Sequence, residues 1–270
     1  MSDFQQQIEA ILTHQQEAEA SVQTLGNFQV WLEGSAIPNK NWGRDKTTQL
    51  FQFFITSRHR RGLHKEQIVS RLWEDASMKS GDRDFKVALH GINKTLEPNR
   101  AARTEPKFIV RQGLTYQLND TAIFVDAEAM EQLITIGNQA LTEDKTMAIQ
   151  AYQTALAFQK GIYLPNRLYE DWSSAERERL QVLALGATIT LGELLVETNP
   201  MESIRLAQEA LLIDNAWEDA YRLQMLAYFK KGNRPMALKT YKKCIMVLDE
   251  EFGIEPLPET KKLFREIRNS

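Results

Sequence analysis

A stretch that occurs three times in the second half of the chain constrains the fold most strongly. The segments AIQAYQTAL, SIRLAQEAL and ALKTYKKCI begin at residues 148, 203 and 237, and the last two begin 34 residues apart. That spacing equals the length of one pair of antiparallel helices in a helical repeat protein. Small residues occupy the positions where neighbouring helices must approach closely: Ala155, Ala210 and Cys244. The second half is therefore predicted to be an array of stacked helix pairs.

The period of this array is that of the tetratricopeptide helix pair, and such arrays bind peptides or protein domains on their surface. The first two segments begin 55 residues apart, so an additional length is inserted between them. For the aromatic residues of this insertion we predict core or interface packing, with a ligand pocket as the alternative: Tyr163, Tyr169 and Trp172. Cys244 stands where the other copies have alanine, which predicts a structural rather than a reactive thiol.

The first half of the chain contains one segment with the alternation of β-strands. In KFIVRQGLTYQL, residues 107–118, apolar and polar residues alternate on both sides of Gly113. This pattern predicts a β-hairpin with a tight turn at the glycine. Upstream, residues 25–38 alternate in the manner of strands, and three amphipathic helices follow in DKTTQLFQFFI, LHKEQIVSRLWED and DRDFKVALHGINKTLEP. The predicted order is strands, three helices and a hairpin.

The third of these helices carries the strongest indication of function. One apolar stripe runs along it at helical spacing: Phe85, Leu89, Ile92 and Leu96. A helix with an apolar inner face and a basic outer face can lie in the major groove of DNA. We predict that its outer face contacts DNA through Arg83, Lys86, Val87, His90, Asn93 and Lys94. The hairpin beside it is predicted to reach the backbone or an adjacent groove through Arg111, Gln112 and Thr115. Simple solvation of these charges is the alternative.

The distribution of charge agrees with two functions on one chain. Residues 26–118 contain 16 Lys and Arg against 9 Asp and Glu, a net charge of +7, whereas the whole chain has a net charge of −3. A basic segment suits nucleic acid and an acidic one suits a protein partner. The alternative is that the charges cluster by chance. The boundary between the basic and the acidic segment, however, coincides with the change from the strand-containing pattern to the helical pattern.

Composition and motifs exclude several classes of protein. The chain is 43% hydrophobic and 26% charged, without an apolar run long enough to cross a membrane, and its start does not resemble a signal peptide. We therefore expect a cytoplasmic protein. None of the four histidines has a metal-ligand spacing, and no phosphate-binding GxxxxGK[ST] motif occurs. We expect no catalytic residues, no metal and no cofactor, and hence no enzyme.

Residues 25–118 resemble the OmpR-type winged helix, in the leading strands, IVSRLW, the third helix and the closing hairpin FIVRQGLTYQL. The resemblance implies that the third helix, from Asp82 to Leu96, enters the major groove. It also implies that the loop before it, residues 76–81, contacts RNA polymerase through Ser77, Met78, Lys79 and Ser80. The family often ends this helix with a paired basic LRRxL, where this chain has INKTL. One positive charge fewer predicts a weaker affinity for DNA, which a partner would compensate.

The second half resembles the bacterial transcriptional activator domain. EDWxxxxRxxL, from Glu170 to Leu180, and LxxEFGIEPxPET, from Leu248 to Thr260, carry this resemblance. A winged helix followed by such a domain is the layout of the SARP group of bacterial activators. The resemblance implies binding to direct repeats upstream of a promoter and recruitment of RNA polymerase. In that group the helical domain supports dimerisation or polymerase contact, so a homodimer is among the expected assemblies.

The sequence thus predicts a mainly α fold with a small β component. It consists of a helical extension (residues 1–24), a winged helix-turn-helix domain (25–120) and an all-α tetratricopeptide-like domain (121–270). An apolar stripe in the extension, Phe4, Ile8, Ile11 and Leu12, could dock on the body, pair with a second chain or belong to a linker. The predicted function is a sequence-specific, DNA-binding transcriptional activator with double-stranded DNA and RNA polymerase as partners. The alternative is a protein-interaction adaptor whose winged helix no longer reads DNA.

Overall fold

A computed structural model describes residues 2–60 and 62–270. The predicted fold class, mainly α with a small β component, is confirmed. The helices are α1 (Asp3–Glu17), α2 (Asp45–Thr56), α3 (Lys65–Leu72), α4 (Met78–Leu96), α5 (Asp126–Ala140), α6 (Lys145–Ala157), α7 (Asp171–Leu195), α8 (Pro200–Ile213), α9 (Glu218–Lys230), α10 (Arg234–Phe252) and α11 (Pro258–Asn269). The strands are β1 (Ala20–Gln23), β2 (Gln29–Leu32), β3 (Ser35–Ala36), β4 (Leu63–His64), β5 (Ile109–Gln112), β6 (Thr115–Leu118) and β7 (Ile123–Val125).

The chain divides into two compact units, residues 1–132 with 158–181 and residues 133–157 with 182–270. The domain boundary predicted at residue 120 falls inside the first unit, between β6 and β7. One reason is the sheet β3-β2-β1-β7 of the first unit, in which β7 pairs parallel with β1. β1 lies in the segment predicted to be a helical extension and β7 lies beyond residue 120. Both strands are too short to produce a readable alternation.

The helical extension docks on the first unit, which selects one of its three predicted alternatives. Ile8 of α1 is fully buried, and the ring of His14 lies 5.9 Å from that of Phe124 in an edge-to-face arrangement. The helix begins at a cap in which the Ser2 hydroxyl accepts a hydrogen bond from the Gln5 amide at 3.2 Å. The buried stripe therefore belongs to the core of the first unit.

The winged helix consists of α2, α3, α4 and the sheet β4-β6-β5. α4 begins at Met78, four residues earlier than predicted, so the predicted loop at residues 76–81 is largely helical. The reason is a cap, because the Ser77 hydroxyl accepts from the Ser80 amide at 3.3 Å. The buried side of α4 comprises Gly81, Phe85, Ala88, Ile92, Asn93 and Leu96. Leu89, predicted on the apolar stripe, lies at its half-buried edge.

Gly91 sets the distance between α4 and α2. A Cβ at this position would lie 2.8 Å from Cγ2 and 2.9 Å from Oγ1 of Thr47, a buried residue of α2. Atoms cannot approach so closely without displacement of the side chain or the helix. The glycine therefore lets the two helices pack closely, at the cost of helix propensity.

A buried carboxylate connects two distant segments of the first unit. Asp126, the first residue of α5, accepts four hydrogen bonds: from the Thr24 amide (2.8 Å), the Thr24 hydroxyl (2.6 Å), the Leu25 amide (2.9 Å) and the Ala127 amide (2.8 Å). Burial raises the pKa of the Asp126 carboxyl, and the donations from Thr24 and Leu25 act against that shift. The contact joins chain segments about a hundred residues apart.

The insertion packs as a structural element of the first unit. Tyr163 is buried and shares a 2.8 Å hydrogen bond with Thr56, and Trp172 packs edge-on against Phe53. These contacts agree with the predicted core packing, whereas Tyr169 is almost fully exposed. Arg167 is buried and donates two hydrogen bonds to the Asp45 carboxylate, at 2.9 and 2.6 Å, which lowers the pKa of that carboxyl.

The second unit contains stacked helix pairs in which the predicted small residues are the contact points. Ala155, Ala210 and Cys244 are all fully buried, as is Tyr152. Cys244 packs with Tyr221 and Leu248, and burial raises the pKa of its thiol to about 12. This environment suits the structural role predicted for the cysteine.

The carboxylate of Asp126 provides a test of how the first unit is held together. In Asp126→Asn an amide NH2 replaces one carboxylate oxygen and leaves a buried backbone N–H without an acceptor. We expect the free energy of unfolding in urea to fall by about 1–3 kcal/mol, with loss of hydrogen-exchange protection across β1. Asp120→Asn, at an exposed carboxyl of the same unit, serves as the control. Equal stability of the two variants would contradict the assignment.

Gly91→Ala tests the close packing of α4 on α2. Alanine gains about 1 kcal/mol of helix propensity, but the overlap with Thr47 costs about 1–3 kcal/mol, so we expect a net loss of stability in urea. Adding Thr47→Ala removes both overlapping atoms and restores stability. Gly186→Ala in α7 is the matched control, because nothing lies within 4 Å of the added Cβ. That control is expected to be stabilised, and stabilisation of Gly91→Ala as well would refute the packing argument.

Candidate nucleic-acid interface

The exposed face of α4 is a continuous polar surface with one apolar residue at its centre. Arg83, Lys86, His90 and Lys94 are exposed on it, and Val87 is 46% exposed between them. A half-exposed valine within a basic face can make an apolar contact with the methyl group of a thymine in the major groove. Five of the six residues predicted for this face therefore lie on one surface.

Asn93 is the exception, and the prediction that it faces outward is wrong. It is only 8% exposed, and its Oδ1 has no hydrogen-bond partner among the described residues. Asn93 follows Leu89 by four residues and precedes Leu96 by three, so helical spacing places it on the buried side. The spacing in the sequence therefore already indicated that Asn93 faces the core.

The hairpin lies beside this face and is held in place by aromatic packing. The ring of Tyr116 in β6 lies 5.1 Å from that of Phe85 in α4, at 72°. The turn consists of Gly113 and Leu114, with φ 63° at the glycine, which suits the twist of a two-residue hairpin. The main chain of Lys65 donates to the Leu114 carbonyl at 3.0 Å.

The three hairpin residues predicted to contact DNA lie at this turn. Arg111 and Gln112 are exposed and Thr115 is half-buried. Arg111 Nε donates to the Gly113 carbonyl at 2.7 Å, and its guanidinium lies 5.8 Å from the Tyr116 ring centroid. The contacts fix the arginine stem while its remaining N–H groups stay available to an external acceptor.

Two carboxylates lie on the same helix and neutralise part of its charge. Asp82 binds Lys86 at 2.7 Å and also pairs with Lys65, and Asp84 binds Arg83 at 3.1 Å. The hydrogen bonds from Lys65 and then Lys86 lower the pKa of the Asp82 carboxyl, and the Asp82 carboxylate raises the pKa of Lys65. Lys65 was absent from the predicted site, because nothing in the sequence connects it to a residue 17 positions later.

The residues predicted to contact RNA polymerase lie next to residues predicted to contact DNA. Ser77 caps α4, and Met78, Lys79 and Ser80 form its first turn, with Met78 strongly exposed. One open groove is lined by part of each predicted group together with Asp82: Ser77, Lys79 and Ser80 from the first, and Arg83, Lys86, Val87 and His90 from the second. Part of each predicted contact set therefore lies on one surface.

Comparison with protein families identifies the helical part. The profile of the bacterial transcriptional activator domain matches residues 125–268. The chain belongs to the bacterial transcriptional activator domain family. The predicted resemblance to SARP-type activators is thereby confirmed, together with the tetratricopeptide-like repeats. Family and fold point to a transcriptional regulator of this type rather than an enzyme.

One solved structure shows the same fold over nearly the whole chain. EmbR of Mycobacterium tuberculosis, solved in complex with a low-affinity phosphopeptide, matches with a TM-score of 0.81 at 18% identity. The match covers 94% of this chain and 66% of that chain, so this sequence spans just under two thirds of EmbR. No curated protein sequence matches significantly.

Two tetratricopeptide domains match only about half of the chain. The Sgt2 domain of Aspergillus fumigatus has a TM-score of 0.35 at 17% identity, covering 52% of this chain and 77% of that chain. The first such domain of Spaghetti (RPAP3), bound to an HSP90 peptide, has a TM-score of 0.34 at 17% identity. That match covers 54% of this chain and 97% of that chain.

Across residues 2–60 and 62–270, no group of three or more His, Cys, Asp or Glu has an arrangement that could hold a metal ion. Within the same residues, no helix combines the length and the apolar character that a bilayer span requires.

Asp82→Asn tests whether the carboxylates on α4 limit its attraction for DNA. The substitution removes one negative charge and releases Lys65 and Lys86, so we expect tighter binding to any duplex. We also expect the slope of log K against log salt to steepen by about 1. Binding is measured by fluorescence anisotropy at several salt concentrations. Glu33→Gln, which makes the same change of charge at the β2–β3 turn, is the control, and equal slopes for both variants would count against this role of Asp82.

Proposed function

We propose that this protein is a sequence-specific, DNA-binding transcriptional activator. In this proposal α4 lies in the major groove, with Arg83, Lys86, Val87, His90 and Lys94 toward the bases and phosphates. The hairpin residues Arg111, Gln112 and Thr115 contact the adjacent backbone. The observation that carries the proposal is the basic outer face of α4, with a half-exposed valine at its centre and the hairpin anchored beside it.

The exposed first turn of α4 is the proposed contact with RNA polymerase. Met78 presents an apolar side chain next to the positive charge of Lys79, and neither projects from the buried side of the helix. A protein bound in the groove through the rest of the helix would leave this turn at the edge of the DNA. The activator would then act in the cytoplasm on promoter DNA, with the polymerase as its protein partner.

One observation favours the second candidate, a protein-interaction adaptor with weakened DNA reading. Asp82 and Asp84 pair with Lys86 and Arg83, two of the basic residues that are exposed on α4. Each pair must open, or share its cation with a phosphate, before the basic side chain contributes fully to DNA binding. A purely adaptor protein would bind duplex DNA only through its general positive charge.

The two candidates are distinguished by mobility shift with DNA from promoters next to the gene, in the presence of unrelated competitor DNA. A sequence-specific activator retains a competitor-resistant complex and protects a defined site from cleavage. An adaptor loses the complex when competitor is added. Repeating both arms at two salt concentrations separates the phosphate contribution from the base contribution.

The double variant Lys94→Ala/Arg111→Ala tests the proposed orientation on DNA. Neither residue forms an ion pair with another described residue, so both charges are available to phosphates. We expect roughly tenfold weaker binding to any duplex, and a salt slope shallower by about 2. Lys239→Ala/Lys242→Ala, which removes two exposed charges from α10, should bind as the unmodified protein does. Unchanged binding by the first variant would show that α4 and the hairpin do not face the DNA.

A further inference from the structure

Three large apolar residues of the LxxEFGIEPxPET segment are exposed on the surface of the protein. Phe252, Ile254 and Leu257 are 60, 53 and 51% exposed. Side chains of this size are ordinarily placed in a core, and a cluster of them on a surface marks an interaction site. Packing within the second unit therefore does not account for these three residues.

Other members of the same segment are buried and hold the turn in one conformation. Pro256 and Thr260 are buried, and the Thr260 hydroxyl donates to the Glu218 carboxylate. The Leu257 amide donates to the same carboxylate at 2.7 Å. At the end of α10 the Gly253 amide donates to the Asp249 carbonyl at 2.9 Å. The turn thus presents its apolar side chains on a fixed backbone, which lowers the entropy lost when a partner binds.

The end of α8 extends this apolar surface. Asn215, just after α8, donates to the Glu251 carboxylate at 2.6 Å, and Leu211 and Ala216 pack against the cluster that contains Leu248. These contacts bring the end of α8 beside the end of α10. Two more exposed apolar residues lie at this end of α8, Leu212 (86% exposed) and Ile213.

The charges within residues 249–259 have one sign, and the nearest basic residues in sequence on the C-terminal side are Lys261 and Lys262. Residues 249–259 contain no Lys or Arg and five carboxylates: Asp249, Glu250, Glu251, Glu255 and Glu259. Lys261 pairs with Glu255 at 2.6 Å, and the described residues provide no ion pair for Asp249, Glu250 or Glu259. We call the surface formed by residues 249–259 together with Leu212 and Ile213 the acidic turn surface.

We propose that the acidic turn surface binds a cationic amphipathic helix of a partner protein. Apolar residues on one face of that helix would contact Phe252, Ile254 and Leu257. Lysine or arginine residues beside them would pair with the surrounding carboxylates. The proposal is independent of DNA binding, because every residue it uses lies in the second unit.

The charge argues against two other occupants. A second copy of the chain would bring the same patch against itself in a two-fold interface, with acidic residues on both sides. Repulsion between these carboxylates opposes such a dimer. Nucleic acid is disfavoured for the same reason. A basic protein segment is the partner whose charge and apolar residues both fit.

The test uses a display library of helical peptides with leucines along one face and randomised polar positions on the other. Selection against the full chain is expected to enrich Lys and Arg over Asp and Glu at the randomised positions. Enriched peptides are then synthesised, and their affinity is measured by fluorescence anisotropy at low and high salt. Binding is expected to weaken as salt is raised.

Two double variants locate the site of the selected peptides. Phe252→Ser/Ile254→Ser is expected to weaken binding about tenfold or more. Glu250→Gln/Glu259→Gln is expected to reduce both the affinity and its dependence on salt. The matched control is Val182→Ser/Met201→Ser, which removes equally exposed apolar residues elsewhere in the second unit and should leave binding unchanged. Circular dichroism verifies that each variant retains its helices.

Several results would overturn the proposal. They are a library without binders, enrichment of acidic or neutral positions, or an equal loss of binding in the control variant. Light scattering of the full chain is measured alongside. A concentration-dependent dimer that Phe252→Ser/Ile254→Ser dissociates would identify a second copy as the occupant and would equally refute the proposal. Loss of promoter binding in the mobility shift would leave this result unaffected, so the two proposals fail separately.

Discussion

The hydrogen bonds of one buried carboxylate connect the parts of the chain on which the first unit depends. Asp126 accepts from the amides of Thr24 and Leu25, and it stands at the point where β7 ends and α5 begins. The same contact therefore fixes the parallel pairing of β1 with β7 and the start of a helix. A carboxylate at a helix N-terminus is favoured by the helix dipole, which partly offsets the cost of burying its charge. The winged helix lies between these two segments in sequence, so the hydrogen bonds of Asp126 join the chain before it to the chain after it.

For α4, close packing and the proposed contact with DNA impose requirements that conflict. Its inner side needs close packing, which Gly91 provides against Thr47 at the expense of helix propensity. Its outer side needs positive charge, yet Asp82 and Asp84 engage Lys86 and Arg83. Intramolecular pairs of this kind hold long side chains in place and reduce general attraction to phosphate. In the proposed complex, specific contacts such as that of Val87 would then account for a larger share of the binding energy.

The features predicted correctly from sequence were those with a long local signal. The helices, the hairpin at Gly113 and the close-packed positions Ala155, Ala210 and Cys244 each follow from spacing within the segment itself. β1 and β7 were missed because their partners are remote and the strands are three or four residues long. The start of α4 was missed because a polar run resembles a loop unless Ser77 is recognised as a cap. The pairing of Lys65 with Asp82 depends on tertiary contact, and no local pattern encodes it.

A recurring sequence pattern can serve two purposes at once, and the segment from Leu248 to Thr260 separates them by burial. Leu248, Pro256 and Thr260 are buried and determine the backbone path of the turn. Phe252, Ile254 and Leu257 contribute little to that path because more than half of each side chain meets solvent. Exposure of large apolar side chains opposes solubility and gains nothing for folding. The proposed binding of a cationic helix accounts for their presence on a rigid, acidic turn, which the fold alone does not explain.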